Sequence, residues 1–453
     1  MNGIGEQRLT EWRREVQLVE RILASCPTVD KTFGIPTSEF VSRQQKVAQA
    51  VRDAECDVGF VFSDEHYDGD VPYLGGNTNI QIEQVAGVIG PAGFHIVAGL
   101  EGGYVAEQLS ERARAVVHKV ELLQLADEKY PIAAERLEDV LEAAAGGRVR
   151  RIALLTPRQV VPAGIVEYLE DHVGRENIVD RQIDYYRIKY EKSDNEMRLI
   201  RDANVIADAM LRAMVAVIRP GMLETQVASW AYLVGKELGS EENGWDVMVG
   251  ANTANRTLIG KALNRPIGRG EWVHFGVAPK RDGLNSCIRR SLVAVERPED
   301  VAPDQRFWFD LVSDAYQVGY HAYVDVAAHD KPAYLQEKAL VDFFESCRTS
   351  VRERFRIDVP IERFKPYTGT HNAGYTECQE FYGAITLDSR EPLGRQIVTM
   401  LDVAIRGIGN KWYETVLPVD FVVIENTLGK FGRRVEQFNQ VPNDVQPLVG
   451  KGI

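Results

Sequence analysis

Residues 271–290 read Glu271-Trp-Val-His-Phe-Gly-Val-Ala-Pro-Lys-Arg-Asp-Gly-Leu-Asn-Ser-Cys-Ile-Arg-Arg290. One short apolar run, Trp272 to Phe275, leads through a turn with Pro279 and Asp282-Gly283 to a second run ending Ser286-Cys287-Ile288. Two short apolar segments separated by turn residues predict a hairpin. Everything N-terminal to about Ser193 has a different pattern. Residues 6–24 place Leu9, Trp12, Val16 and Val19 near helical spacing, and a second helix is expected over 41–54. Cys56 to Phe62 then reads as an apolar strand, with further strands expected at Val88–Ile89, His95–Val97 and Arg151–Leu155. Helices expected over 133–145 and 163–173 supply the alternation of a βαβ-type unit.

A boundary is expected near Tyr185–Ser193. Ser193-Asp-Asn-Glu196 is a capping box, in which the serine hydroxyl and the glutamate satisfy opposite amides of the first turn. The helix it opens carries Met197, Ile200, Val205, Met210, Met214 and Val217 on or near one face and stops at Pro220-Gly221. The expected organisation is therefore α/β (α+β), with one domain over 1–187 and a second over 188–453.

Bulk properties narrow the function classes. At 453 residues the chain can bury two cores, and 45% apolar with 26% charged residues is ordinary for a soluble globular protein. A net charge of −13 argues against nucleic acid or an anionic membrane as the main partner. The cysteines, Cys26, Cys56, Cys287, Cys347 and Cys378, are five in number, widely spaced and without a C-x-x-C pair. That pattern favours reduced thiols and a cytoplasmic location over a disulfide framework. The first eighteen residues lack the apolar core of a signal peptide, and no apolar run has the length of a membrane span.

From residue 188 onward the chain resembles the pita-bread metallopeptidases and creatinase, the family of aminopeptidase P and prolidase. The opening Lys192-Ser193 with Glu196 and then Pro220-Gly221 is how that catalytic domain begins. In the family the hairpin reads Asp-x-Gly, a turn, and Gly-Tyr-x-Ser-Asp-x-Thr-Arg. Here His274-Phe275-Gly276 stands for the first motif and Gly283 to Arg290 for the second, with a turn about two residues longer. The N-terminal part resembles the creatinase/prolidase N-terminal domain through a helix with Arg43, a strand, and Asp70-Val-Pro-Tyr73-Leu-Gly-Gly76.

The resemblance implies a fold, a ligand set and a chemistry. The family holds two divalent metals with two aspartates, one histidine and two glutamates. Carried over, these positions become His274, Cys287, His371, Asp402 and, counting back without gaps from Gly429, Asp420. With both aspartates replaced and the glutamates shortened, a dinuclear centre is not expected, because two adjacent dications need several anionic oxygens. No cofactor is expected, and a single divalent metal on His274, Cys287, His371 and Asp402 is the alternative. His371, with Glu377 or Glu380 nearby, suits general acid/base work, the alternative being a histidine that only hydrogen-bonds in its loop. Cys287 reads either as a thiolate nucleophile or as a small residue filling the place of the lost aspartate. Arg290 matches the family's terminal arginine and is expected to be structural, pairing with a nearby carboxylate. Asn252, Asn255, Arg256 and Asp420 are the candidate substrate-binding groups, loop structure being the alternative for the first three. His321, Tyr323 and Asp325 would share one face if their segment is extended. The resemblance implies a creatinase-like, metal-independent, non-peptidase enzyme, a hydrolase or lyase acting on a C–N bond or doing related acid/base chemistry on a small polar molecule, and working as a homodimer. Two further readings stay open, a mononuclear zinc or iron enzyme and a binding protein without catalysis.

Overall fold

The computed structural model describes residues 5–76, 83–124, 134–251, 255–256, 258–376, 382–408 and 416–451. Its N-terminal part opens with α1 (Glu6–Ser25) and α2 (Thr37–Asp53), followed by β1 (Val58–Ser63) and α3 (Asp70–Gly75). There follow β2 (Val85–Gly90), β3 (Gly93–Ala98), α4 (Leu100–Leu109), β4 (Val116–Lys119), α5 (Leu137–Ala145), β5 (Ile152–Leu154), α6 (Ala163–Val173), β6 (Ile178–Asp180) and α7 (Gln182–Tyr190). The strands form one mixed sheet in the order β4-β3-β2-β1-β5-β6. β1 is antiparallel to β2 and parallel to β5, and every one of its residues is buried. A central strand covered on both faces needs no polar alternation, which is why it reads as a continuous apolar run.

The capping box forms as the sequence predicts. Ser193 Oγ accepts from Glu196 N at 3.1 Å and Glu196 Oε2 accepts from Ser193 N at 2.7 Å. It opens α8 (Asp194–Val217), which is followed by α9 (Glu224–Leu238). α8 buries almost its whole circumference in its second half because α1, α9 and the C-terminal sheet all pack on it. α1 therefore lends Leu18, Val19 and Ile22 to a core made mostly by residues beyond 206. Its buried Glu15 accepts from Arg8, Arg219 and the Trp230 indole, so the carboxylate is fully paired.

The C-terminal sheet is built from β7 (Met248–Gly250), β8 (Trp272–Val277), β11 (Ile288–Val293), β12 (Thr370–Asn372), β13 (Gln396–Arg406), β14 (Phe421–Phe431) and β15 (Arg434–Gln437). Its order is β12-β13-β14-β11-β8-β7, with β15 also on β14. Between β8 and β11 the small ribbon of β9 (Lys280–Arg281) and β10 (Leu284–Asn285) forms the tip of the expected hairpin. Asp282 and Gly283 have φ of 51° and 79°, the left-handed pair that a tight two-residue hairpin turn requires. Helices α10 (Pro303–His329), α11 (Tyr334–Ser346) and α12 (Arg348–Phe355) complete the fold. His321, Tyr323 and Asp325 lie within α10, so the expectation of a shared strand face is corrected. A long run opened by proline at the first helical turn overrode the short alternation. Tyr323 is buried and bonds Thr399 at 3.0 Å, while His321 and Asp325 lie on more open turns of the helix.

Candidate active site

Strand register places the chemistry. Along one face of the C-terminal sheet, Arg289 of β11 is paired with Glu425 of β14, and Glu425 with Asp402 of β13. Directly paired residues project to the same face, so three charged side chains converge in one row. His371, on the edge strand β12, pairs with Met400, two residues before Asp402, and so joins the same face. Ligand atoms of His371, Asp402 and Glu425 all lie within 4.8 Å of one another.

The loop carrying His371 is held from both parts of the chain. Asn285 N and Nδ2 donate to Gly374 O and Tyr375 O, each at 2.8 Å. Arg43 of α2 donates to Tyr375 Oη at 2.7 Å. On the other side, Glu337 of α11 accepts from Gly369 N at 2.9 Å and pairs with Lys365 at 2.6 Å.

Arg289 is at the centre. Its Nη1 lies 3.1 Å from Asp402 Oδ2 and 3.2 Å from Tyr367 Oη, its Nη2 donates to Leu258 O at 2.5 Å, and its Nε is 3.8 Å from Glu425 Oε2. Tyr367 in turn donates to Asp402 Oδ1 at 3.0 Å. His371 Nε2 is 3.4 Å from Glu425 Oε1, and its Nδ1 is 3.2 Å from Asn372 O. Both ring nitrogens thus face acceptors, an arrangement that favours the doubly protonated imidazolium.

Two buried carboxylates this close cannot both carry full charge cheaply. Burial and the neighbouring Glu425 push Asp402 up to about 7, against the pull of Arg289 and His371. Burial also raises Glu425, but hydrogen bonding and charge from His371, together with Arg289, outweigh it and hold this carboxyl below its ordinary range. The Cys287 thiol also hydrogen-bonds the Glu425 carboxyl. Burial works against the Arg289 charge, yet Tyr367, Asp402 and Glu425 together keep the guanidinium firmly protonated. Near neutral pH the cluster therefore holds Glu425 as an anion and Arg289 as a cation, with Asp402 divided between its two forms.

The expected site residues separate in this geometry. His371 and Asp402 come together. The last carboxylate of the group is Glu425, and Asp420 is not part of it, which corrects the ungapped count from Gly429. Asp420 lies just before β14 and pairs with Arg256 at 2.6 Å, so two candidate substrate-binding groups bind each other. The sequence held a signal for Glu425: Val-Ile-Glu425-Asn keeps the Ile-Glu of the family's Arg-Ile-Glu-Asp. Arg289 also escaped the sequence reading as a site residue, although it stands at the threonine of Ser-Asp-x-Thr-Arg.

Cys287 is buried beside Thr427, whose hydroxyl accepts from Cys287 N at 3.1 Å. His274 is wholly buried, with its ring edge-on to Phe421 at 5.3 Å and neither nitrogen hydrogen-bonded. Burial first, then the Arg289 charge, depresses it to about 3, so it is neutral. Among the described residues, neither His274 nor Cys287 joins the metal-competent group, so the expected four-residue set is corrected to His371, Asp402 and Glu425. Arg290 holds backbone, but through carbonyls and an amide and not the expected carboxylate, donating to Glu425 O, Val441 O, Pro442 O and Asn426 Oδ1. Asn255 is buried with its amide unpaired. Asn252, Glu377, Cys378 and Glu380 lie outside the described residues.

Residues 198–330 match Metallopeptidase family M24. The chain carries a peptidase M24 domain on the pita-bread fold. The M24 domain is divergent. The uncharacterized peptidase YqhT of Bacillus subtilis is 20% identical over 263 residues, covering 58% of this chain and 69% of that protein. The Xaa-Pro dipeptidase of Pyrococcus horikoshii is 27% identical over 199 residues, covering 43% of this chain and 54% of that one. Among solved structures, the prolidase of Pyrococcus horikoshii superposes with a TM-score of 0.65 at 15% identity, covering 89% of this chain and 99% of that one. The X-Pro aminopeptidase of Thermotoga maritima gives 0.67 at 15% identity, covering 88% and 98%. Among the described residues, no helix is long and apolar enough to cross a membrane.

Proposed function

We propose that the M24 domain of this chain is a metal-independent hydrolase acting on a C–N bond of a small polar molecule. The observation that carries this reading is the Arg289 guanidinium, 3.1 Å from Asp402 and 3.8 Å from Glu425. A fixed cation there neutralises the carboxylates that a dinuclear centre needs as ligands. The two aspartate positions offer a neutral histidine and a thiol, so the donor set does not fit two hard dications. A dication ~4 Å from the guanidinium would meet a repulsion of about 8 kcal/mol at an effective dielectric constant of ~20.

The named relatives are peptidases, which also hydrolyse a C–N bond, and this supports the reaction class. In the proposed reaction Glu425 takes a proton from water as the water oxygen adds to the substrate carbon. The imidazolium of His371 gives its proton to the departing nitrogen as the C–N bond breaks. Asp402, able to exchange its proton near neutrality, and Arg289 balance the charge that shifts between them.

The test is a screen of amidine, guanidine, ureido and amide substrates with chelator-treated, untagged protein. Turnover that survives chelation and falls by about 100-fold or more in His371→Ala and Glu425→Gln supports the proposal. Turnover that appears only with added manganese or cobalt sinks it.

One observation favours a second reading, a single divalent ion. His371, Asp402 and Glu425 are close enough to share one ion after small shifts. One equivalent of metal in protein purified without added metal would support it. The homodimer and a cytoplasmic location remain part of the proposal; light scattering giving 50.8 kDa, the mass of one chain, would remove the dimer.

A further inference from the structure

We infer that Arg289 is a resident cation filling a latent divalent-cation site, and that removing its charge opens that site to one ion held by His371, Asp402 and Glu425. The inference concerns the same side chains as the proposed reaction but is independent of the substrate, because it is read by cation binding alone.

Three observations carry it. The three groups are a histidine and two carboxylates with ligand atoms within 4.8 Å of one another, the spread that a single tetrahedral or octahedral ion spans. Glu425 is 1% exposed and loosely held: His371 Nε2 is 3.4 Å and Arg289 Nε 3.8 Å from its oxygens, and the Cys287 thiol is a weak donor. A buried carboxylate left so loosely satisfied is poised for a stronger partner. The permanent cation beside it is Arg289, whose Nε makes no hydrogen bond among the described residues and stands 3.8 Å away. The guanidinium is anchored elsewhere, by Leu258 O, Tyr367 and Asp402, so it sits beside Glu425 without closing on it.

Neither His274 nor Cys287 is required. The inferred site is thus smaller than the family's five-residue set and differs from the four-residue set expected from the sequence. Arg289 stands at a position where the family motif has threonine, so the variant Arg289→Thr restores a short neutral side chain at that point.

The experiment is equilibrium dialysis of the full, untagged chain against Mn(II) and Zn(II), with thermal melting in parallel. Wild-type protein is expected to hold no ion at about 1 mM metal, whereas Arg289→Thr is expected to hold one equivalent with a Kd of about 10 μM or tighter, a change of roughly 100-fold or more. Adding Glu425→Gln to Arg289→Thr should abolish that binding, and metal should raise the melting temperature of Arg289→Thr but not that of the wild type or the double variant. Arg289→Gln, neutral but still a hydrogen-bond donor, should behave like Arg289→Thr, and Arg289→Lys should exclude metal as wild type does. If the neutral variants are unfolded without metal, recovery of the fold on adding Mn(II) or Zn(II) supports the inference and failure to recover overturns it. Folded neutral variants that hold no ion overturn it while leaving the hydrolase reading intact. Wild-type protein that holds one equivalent, lost in Glu425→Gln, overturns it whatever reaction is found.

Discussion

The guanidinium of Arg289, on β11, reaches over the intervening β14 to place Nη1 3.1 Å from Asp402 Oδ2 on β13. The contact joins two strands that are not neighbours, and Glu425 on the strand between them shares the same row. The consequence is a carboxylate pair whose protonation is set inside the protein.

Asp402 provides the pH test. Its pKa is pushed up to about 7, from the ordinary 3.8 of an aspartate, by burial and by Glu425. The folded state therefore binds more protons than the unfolded chain between those values. This contribution to stability is fully present below about 4 and is lost as pH rises through about 7. Asp402→Asn should flatten the melting temperature against pH over that window and should not lower it at pH 8. A variant that keeps the wild-type slope between pH 4 and 7 would show that another group sets it. Activity of the wild type should carry an inflection near 7 that is missing in the variant.

His274 has the opposite sign. Burial and the Arg289 charge depress it to about 3, so the folded protein binds fewer protons than the unfolded chain from about 6.5 downward. Stability from this group is present above 6.5 and falls with pH, by about 2 kcal/mol at pH 5. His274→Leu removes two unpaired buried nitrogens and this acid penalty together. The variant should be at least as stable as wild type at pH 7.5 and more stable at pH 5, read by urea denaturation. A loss of 2 kcal/mol or more at both pH values would mean that the ring has a partner.

The same ring packs over Gly250 of β7, the residue with which His274 is paired across the sheet. A Cβ added at Gly250 would fall 2.3 Å from His274 Cε1 and 2.8 Å from its Nε2. Gly250→Ala should therefore cost about 1–3 kcal/mol through overpacking. Combining it with His274→Ala should restore most of that loss, since the two side chains compete for one volume. Additive losses in the double-mutant cycle would count against the packing account.

The fold was largely legible because its signals are local. The Ser193/Glu196 box, the Asp282-Gly283 turn and the apolar run Val58–Phe62 each specify backbone from neighbouring residues. The site was legible where a motif survived, as at His371 and Asp402. It was not legible where the answer depended on register. Asp420 and Glu425 are five residues apart, and only the pairing of Asp402 with Glu425 shows which one faces the site. Arg289 stayed hidden for a related reason. An arginine following a strand-forming residue says nothing of which carboxylates its long side chain will reach two strands away. His321 to Asp325 failed differently, since three alternating residues fit a strand or one flank of a long helix equally well.

Arg43 ties the N-terminal part to the site and supplies the last test. It is 4% exposed, pairs with Glu39 at 2.5 Å and Glu196 at 3.1 Å, and donates to Tyr375 Oη at 2.7 Å and Tyr73 O at 3.1 Å. Arg43→Ala leaves two carboxylates without their cation, one of them deeply buried, and should cost about 3–5 kcal/mol. It also frees Tyr375, four residues beyond His371, so the loop carrying the imidazole loses one of its anchors. Turnover should fall at a temperature where circular dichroism still reports a folded chain, with kcat falling more than KM rises. Arg43→Lys keeps one charge but cannot bridge both carboxylates and the tyrosine, so it should recover stability in part and turnover little. Full recovery of turnover by lysine would show that charge alone, and not the forked contact to Tyr375, positions His371.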